Sequence, residues 1–155
     1  MKLLEFEAKE IFSKYGIPIP EGVVIKNPDE LRRHLDRFPD EVVVKSQVDV
    51  GGRGKAGGII IAQKADAVDK AEHLFSFPIK GLIPKAILVE EKLPIEHEYY
   101  VSITIDRSTR QPMILFAETG GVDIEEAART GPEALRRAGF SPLLSEVPGF
   151  LMRRI

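Results

Sequence analysis

The sequence predicts an α+β fold in which antiparallel hairpins take the place of regular βαβ units. Short runs of β-branched residues at 41–45, 59–61 and 101–105 are typical of strands. Residues 4–15, in contrast, carry apolar side chains at helical spacing. The links at 46–58 and 106–112 lead from strand to strand without a helical pattern, which favours antiparallel pairing. The predicted order is α-β-α-β-β-α-β-β-β-α.

The first helix is expected at the N-terminus and ends at a glycine. Its spacing predicts one buried face formed by Leu4, Ala8, Ile11, Phe12 and Tyr15. Gly16 supplies the C-terminal stop, and Pro18 and Pro20 prevent continuation. A short strand at Gly22–Ile25 follows.

The second helix and the second strand have clear local signals. Asn27-Pro28-Asp29-Glu30 combines an N-cap, a proline at the first helical position and an early glutamate. This helix is expected to run to about Arg37, before Phe38-Pro39 ends it. Glu41–Lys45 is expected to be a strand buried on both faces.

The rest of the chain continues the mixed pattern. The expected elements are a strand at Ile59–Ile61, a helix at Ala65–Phe75, strands at Ala86–Glu91, Glu98–Arg107 and Met113–Glu118, and short helices near Ile124–Arg129 and Pro132–Ala138. After Gly139 no period is recognisable, so this tail is expected to be disordered or to fold only against a further segment.

Composition narrows the class of protein. The 155 residues have a formal net charge of −2, which argues against nucleic acid or an anionic membrane as partner. No apolar run approaches the roughly 18 residues of a membrane span, and the acidic N-terminus is not a signal peptide. The chain has no cysteine, which excludes disulfides and thiolate chemistry. A cytoplasmic protein is expected.

Residues 51–58 form the densest glycine cluster of the chain. Gly52-x-Gly54-x-x-Gly57 formally matches a dinucleotide fingerprint, but that motif must lead into a helix, and here a strand-like run follows. A P-loop is excluded because Lys55 is followed by alanine. A glycine loop between two strands, with Arg53 and Lys55, suits a lid over a polyphosphate. The alternative is a mobile hairpin with solvated charges.

Three neighbouring features favour the phosphate interpretation. Lys45 ends a valine run and is placed to offer a point charge to phosphate oxygens, although a lysine there can also simply snorkel. The strand exit at Leu88–Leu93 can act as a hinge whose backbone groups pair with an adenine edge, or be an ordinary loop end. Glu98 is placed to accept from ribose hydroxyls, or to be a solvated strand start.

Taken together, these motifs resemble the β subunit of succinyl-CoA synthetases, which are ATP-grasp proteins. The matching segments are Leu4–Pro20, Lys45–Gly58, Leu88–Glu98, Ile105–Ser108 and Gly120–Glu125. The resemblance covers nearly the whole chain and weakens after about Arg129. The family usually has an acidic residue before its Gly-Gly pair, where this chain has Thr119.

The resemblance implies a nucleotide site and a reaction. Lys45 would contact the α- and β-phosphates. The lid residues would be Gly52, Arg53 and Gly54; the adenine edge would be served by Glu90 and Leu93, and the ribose by Glu98. The family uses ATP or GTP with Mg²⁺, phosphate, CoA and a carboxylic acid, through a phosphohistidine on a separate α subunit. The histidines of this chain match no such motif and are expected at the surface.

The resemblance also implies how the chain is organised. Residues 21–95 would form a complete small lobe, an antiparallel sheet with helices, and residues 1–20 and 96–155 an incomplete large lobe. The magnesium ligands of the family, an Asn and an Asp, are expected beyond residue 155, so no metal ligand is assigned here. The chain alone is therefore expected to bind nucleotide without catalysing the reaction.

Two alternatives to a succinate-specific ligase stay open. The residues that select the acid are expected outside this chain, so a related acyl-CoA synthetase for malate, acetate or citrate fits the same motifs. A non-catalytic nucleotide-binding subunit fits them as well.

Overall fold

The structure, a computed structural model, describes residues 2–120, 135–153 and 155. It divides into two compact units, Met1–Pro94 and Ile95–Ile155. Each unit contains its own antiparallel sheet, in agreement with the α+β prediction. Among these described residues, no helix is long and apolar enough to cross a membrane.

The first unit is built on a four-stranded sheet. Its strands are β1 (Gly22–Ile25), β2 (Glu41–Ser46), β3 (Ile59–Gln63) and β4 (Ile87–Glu91). All neighbours pair antiparallel in the spatial order β1-β4-β2-β3, which places β2 between β4 and β3.

Two helices supply the apolar layer on one face of this sheet. They are α2 (Pro28–Arg32) and α3 (Ala67–Ser76). The shared core includes Leu31, Val42, Val44, Ala71, Leu74 and Val89, all fully buried. Fully burying a valine or leucine side chain contributes about 1.5–3 kcal/mol, so this layer is the main source of stability for the sheet.

The prediction that β2 is buried on both faces was wrong. Val42, Val44 and Ser46 are buried, whereas the alternate residues are only half-buried. Side chains alternate across a strand, and Val42 and Val44 face the helical layer. Lys45 points to the opposite face, where charged groups replace a second apolar layer.

The N-terminal helix α1 spans Glu5–Lys14 and ends as predicted. Gly16 has φ of +74°, and the Ile17 amide donates to the Phe12 carbonyl at 3.0 Å, which is the pattern of a Schellman cap. The predicted buried face was wrong, because Ile11, Phe12 and Tyr15 are 40%, 47% and 81% exposed. The helix meets the sheet through charged side chains instead.

The start of α2 is confirmed, and its length is shorter than predicted. The Asn27 side chain accepts from the Glu30 amide at 3.1 Å, as an N-cap does. The α-helix ends at Arg32, and a separate 3-10 turn follows at Leu35–Arg37. A second 3-10 turn, Lys64–Asp66, leads into α3.

The second unit contains a three-stranded antiparallel sheet and a short helix. Its elements are β5 (Tyr100–Asp106), β6 (Gln111–Ala117), β7 (Arg136–Gly139) and α4 (Gly149–Met152), with the strand order β5-β6-β7. In the β5–β6 turn, Asp106 accepts hydrogen bonds from Ser108 and Thr109. These local bonds are typical of a turn that begins at an aspartate.

The prediction of a helix at Pro132–Ala138 was wrong for its last residues. Arg136–Gly139 is a strand that pairs with β6, with Ala138 opposite Ile114. The sheet satisfies the backbone groups of this segment, and such tertiary pairing overrides a weak local helix preference. The helix predicted at Ile124–Arg129 lies outside the described residues.

Substituting Gly58 tests the packing between the glycine loop and the segment that follows α3. A Cβ at Gly58 would lie 2.9 Å from Cδ1 of the fully buried Ile79 and 3.2 Å from the Arg53 carbonyl. We expect Gly58→Ala to lower the free energy of unfolding by about 1–3 kcal/mol, measured by urea denaturation. Gly51→Ala is the matched control, because nothing lies within 4 Å of its Cβ position. Equal stability of the two variants would contradict this packing.

Candidate functional site

The glycine loop, residues 51–58, joins β2 to β3, which confirms the predicted connection between two strands. The Ser46 amide donates to the Gly58 carbonyl at 2.8 Å and extends the strand pairing into the loop. The Gly58 amide in turn donates to the Arg53 carbonyl at 2.8 Å. Because the loop enters a strand and not a helix, it is not a Rossmann dinucleotide turn.

Glycine is required at several loop positions, for two different reasons. Gly52 and Gly57 have φ of +72° and +77°, a region that side chains disfavour. The segment after α3 also packs here: a Cβ at Gly57 would lie 3.3 Å from the Phe77 ring, and one at Gly52 3.3 Å from Lys80 Nζ. Gly54 has room for a Cβ, whose nearest neighbour would be 3.8 Å away.

A cluster of five charged side chains lies between α1, β2, β4 and the loop. The charge cluster consists of Glu5, Lys9, Lys45, Arg53 and Glu90. At its centre, Lys45 Nζ donates to Glu90 Oε2 at 2.6 Å and to Glu5 Oε1 at 3.1 Å. Lys9 Nζ donates to Glu90 and lies 3.2 Å from Glu5 Oε1.

Arg53 connects the loop to the rest of the first unit. Its Nη2 donates to Glu5 Oε2 at 2.6 Å, and its Nη1 donates to the Ser46 carbonyl at 2.8 Å. The side chain is only 18% exposed. The cation of the loop is therefore held near the end of β2, beside Lys45, and is not a freely solvated charge.

Glu90 is the most deeply buried member of the charge cluster, at 2% exposure. It tolerates burial as a carboxylate because the two ammonium groups of Lys9 and Lys45 bind it. Gly22 on the paired strand makes room for it, since a Cβ there would lie 2.8 Å from Glu90 Cγ. The cluster has three cations and two carboxylates and thus an excess of positive charge.

The charge cluster shifts the pKa values of two of its members. Burial acts to raise the pKa of Glu5, but the charge of Lys45, the hydrogen bond from Arg53 and the charges of Arg53 and Lys9 lower it to about 2. Burial acts to lower the pKa of Lys45, but the hydrogen bond to Glu90 and the charges of Glu5 and Glu90 raise it above its ordinary value. Both groups are therefore ionised at neutral pH.

A cavity of about 360 Å³ lies beside Glu90, between α1 and the strands β1 and β4. Its lining includes Phe6, Lys9, Ile19, Pro20, Leu88 and Glu90. The end of β4 lies next to this cavity. There the Glu91 amide donates to the Glu21 carbonyl at 3.0 Å, and the Lys92 amide donates to the Glu41 carbonyl at 3.3 Å. Leu93 follows and is 45% exposed.

Glu98 belongs to the second unit and precedes β5. Its side chain is exposed, and its carbonyl accepts from the Gly120 amide at 2.8 Å. A Cβ at Gly120 would lie 2.9 Å from Glu98 Cβ, so only glycine allows this approach. Gly121, the other half of the Gly-Gly pair, lies outside the described residues.

The described residues contain no group of three or more His, Cys, Asp or Glu that could hold a metal ion. The two carboxylates of the charge cluster are bound to lysine and arginine, which leaves them unsuited to Mg²⁺. His73 and His97 are exposed as expected, whereas His34 is half-buried.

The structure brings Lys45, Arg53 and Glu90 together, and it adds residues that sequence analysis missed. Glu5 and Lys9 complete the charge cluster, and Lys80 lies beside Gly52. Glu5 and Lys9 are spaced i, i+4 on α1, which on sequence alone indicates an ordinary surface pair. Because Glu5 and Lys9 are far from Lys45 and Glu90 in the sequence, no local sequence pattern indicates that these side chains contact each other.

Comparison with known proteins shows the family of the chain. Residues 2–153 match the ATP-grasp domain family. The chain is 56% identical over 137 residues to a succinate–CoA ligase [ADP-forming] subunit beta of Methanocaldococcus jannaschii, covering 87% of this chain and 37% of the relative. It is 43% identical over 143 residues to a succinate–CoA ligase [GDP-forming] subunit beta of Thermus thermophilus, covering 92% and 38%. The chain thus spans less than two-fifths of the length of these curated relatives.

Solved structures show the same fold. A dinucleotide-forming acetyl-coenzyme A synthetase of Ca. Korarchaeum cryptofilum superposes with a TM-score of 0.69 at 22% identity, covering 92% of this chain and 61% of that one. Phosphoribosylamine–glycine ligase of Thermotoga maritima gives a TM-score of 0.53 at 24% identity, covering 74% and 28%. The chain belongs to the ATP-grasp family, and within it resembles the beta subunits of succinate–CoA ligases over most of its length.

Proposed function

We propose that this chain is the nucleotide-binding part of an acid–CoA ligase that interconverts succinate, CoA and ATP or GTP with succinyl-CoA, ADP or GDP, and phosphate. The observation that carries the proposal is the placement of Lys45 and Arg53 side by side where β2 enters the glycine loop. The names of the relatives support succinate as the acid, and the ADP-forming and GDP-forming relatives support both nucleotides.

The phosphates would bind at the cationic end of the charge cluster. Lys45 has three N–H donors, of which two are used by Glu5 and Glu90. Arg53 has five, of which Glu5 and the Ser46 carbonyl take two. The remaining donors, with the backbone amides of Gly52 and Gly54, would bind phosphate oxygens.

The base and ribose would lie towards the hinge. The carboxylate of Glu90 is committed to Lys9 and Lys45, and its backbone is paired within the sheet, because β4 lies between β1 and β2. The adenine edge would therefore be served by the backbone that follows β4, at Leu93. The cavity beside Glu90 has space for part of a planar base. The resemblance implies that Glu98 would accept from the ribose hydroxyls.

The remaining parts of the reaction would come from outside this chain. A partner α subunit would carry the phosphorylated histidine and most of the CoA site. Mg²⁺, when bound to the nucleotide, supplies charge neutralisation for phosphoryl transfer, and its protein ligands are assigned to residues beyond this chain. The lobe boundaries proposed from the resemblance are 21–95 for the small lobe, with 1–20 and 96–155 in the large lobe. In the structure itself, α1 packs on the sheet of the first unit.

Removing the Lys45 ammonium should weaken nucleotide binding. We expect Lys45→Met to bind ATP about 10- to 100-fold more weakly than the unaltered chain, because a charge-assisted hydrogen bond contributes about 1.5–3 kcal/mol. Isothermal titration calorimetry measures the affinity, and circular dichroism checks the fold. Lys70→Met is the matched control, since Lys70 is an exposed residue of α3. Unchanged affinity in Lys45→Met would refute the site.

The proposal that this chain lacks part of the active site can also be tested. We expect this chain, mixed with a competent α subunit, ATP, Mg²⁺, CoA and succinate, to form no succinyl-CoA. The reason is that the metal-holding residues are assigned elsewhere. A full-length β subunit with the same α subunit is the positive control, and thioester formation is the measurement. Turnover by the chain would show that it holds the complete active site.

A further inference from the structure

We propose that Glu5, in the first turn of α1, is a positioning residue that holds the two phosphate-binding cations Lys45 and Arg53 side by side. The inference rests on the proposed function, because it assigns those cations to the phosphates of a nucleotide. Glu5 itself contacts no phosphate in this arrangement. The ligand class that it favours is a nucleoside di- or triphosphate, which needs both cations at once.

The geometry of the carboxylate supports this role. Each oxygen of Glu5 binds a different cation: Oε1 lies 3.1 Å from Lys45 Nζ, and Oε2 lies 2.6 Å from Arg53 Nη2. All three side chains are about one-fifth exposed, so the pairs are partly shielded from water. A single carboxylate thus links the end of β2 to the glycine loop.

Glu90 does not supply this link. Its carboxylate binds Lys9 and Lys45, and within the described residues it makes no bond to Arg53. The only other anchor described for Arg53 is the neutral carbonyl of Ser46. Without the negative charge of Glu5, the two cations would repel each other across a loop whose glycines offer little stiffness.

The contacts of Glu5 leave donors free for a ligand. It takes one N–H of Lys45 and one of Arg53, and each cation retains at least one further donor. Lys9, one turn along α1 and 3.2 Å from Glu5 Oε1, adds a third positive charge to its surroundings. The carboxylate therefore orients the two cations without exhausting their capacity to bind phosphate.

The same contacts predict how stability depends on pH. Burial acts to raise the pKa of Glu5, but the cations Lys45, Arg53 and Lys9 lower it to about 2, below the 4.5 of an ordinary glutamate. The carboxylate of Glu90 lies in the same cluster, where it binds Lys45. A depressed pKa stabilises the folded chain above pH 4.5, and this contribution is lost as pH falls towards 2.

We therefore expect the stability difference between the unaltered chain and Glu5→Gln to be largest above pH 4.5 and to shrink between pH 4.5 and 2. Urea denaturation at a series of pH values measures it. A difference that stays constant over this range would contradict the ion pairing of Glu5.

The positioning role is tested by comparing nucleotides that differ in phosphate number. We expect Glu5→Gln to bind ATP about tenfold more weakly, which corresponds to one misplaced charged hydrogen bond, and to bind AMP within about twofold of the unaltered chain. Glu5→Asp keeps the charge but is one methylene shorter, and should also weaken ATP binding. The control is Glu7→Gln, on the same helix, where Glu7 accepts from the Leu4 amide and not from the cations.

A double substitution separates positioning from a general loss of structure. In an Arg53→Met background, adding Glu5→Gln should cause little further loss of ATP affinity, because its partner in the loop is gone. Unchanged or tighter ATP binding by Glu5→Gln, or equal losses for ATP and AMP, would overturn the role of Glu5 alone. No nucleotide binding by the unaltered chain would overturn the proposed function, and this role with it.

Discussion

The ion pairs between Glu90 and the ammonium groups of Lys9 and Lys45 are the interaction on which the site depends. A carboxylate that is 2% exposed is costly to bury unless cations accompany it. These pairs bring α1 onto the charged face of the sheet and fix where Lys45 points. Because Glu5 continues the same network to Arg53, the glycine loop is bound to the N-terminal helix α1.

The two faces of the four-stranded sheet therefore have different roles. One face carries the apolar core with α2 and α3 and provides stability without chemistry. The other carries Lys45 and Glu90 and relies on charge pairing for its order. A site that is held by ion pairs keeps cationic donors near its surface, which suits the binding of an anionic ligand.

The elements with local signals were predictable. Alternation and β-branched content identified the strands, Asn27 identified the start of α2, and Gly16 identified the end of α1. The exposure of the apolar face of α1 was not predictable, because helical spacing shows that a face is apolar but not whether another layer covers it. The strand at Arg136–Gly139 was missed for the related reason that its pairing partner, β6, lies far back in the chain.

The sequence by itself determined the class of fold, the position of the glycine loop between two strands and the location of Lys45 in the strand before that loop, since each depends on residue types that are close together in the chain. Only the tertiary structure decided that Glu5 and Lys9 join Lys45, Arg53 and Glu90 in one cluster. The physical reason is that ion pairing acts through distance in space. Residues separated by 40 or more positions come within hydrogen-bonding distance only after the sheet and α1 have packed together.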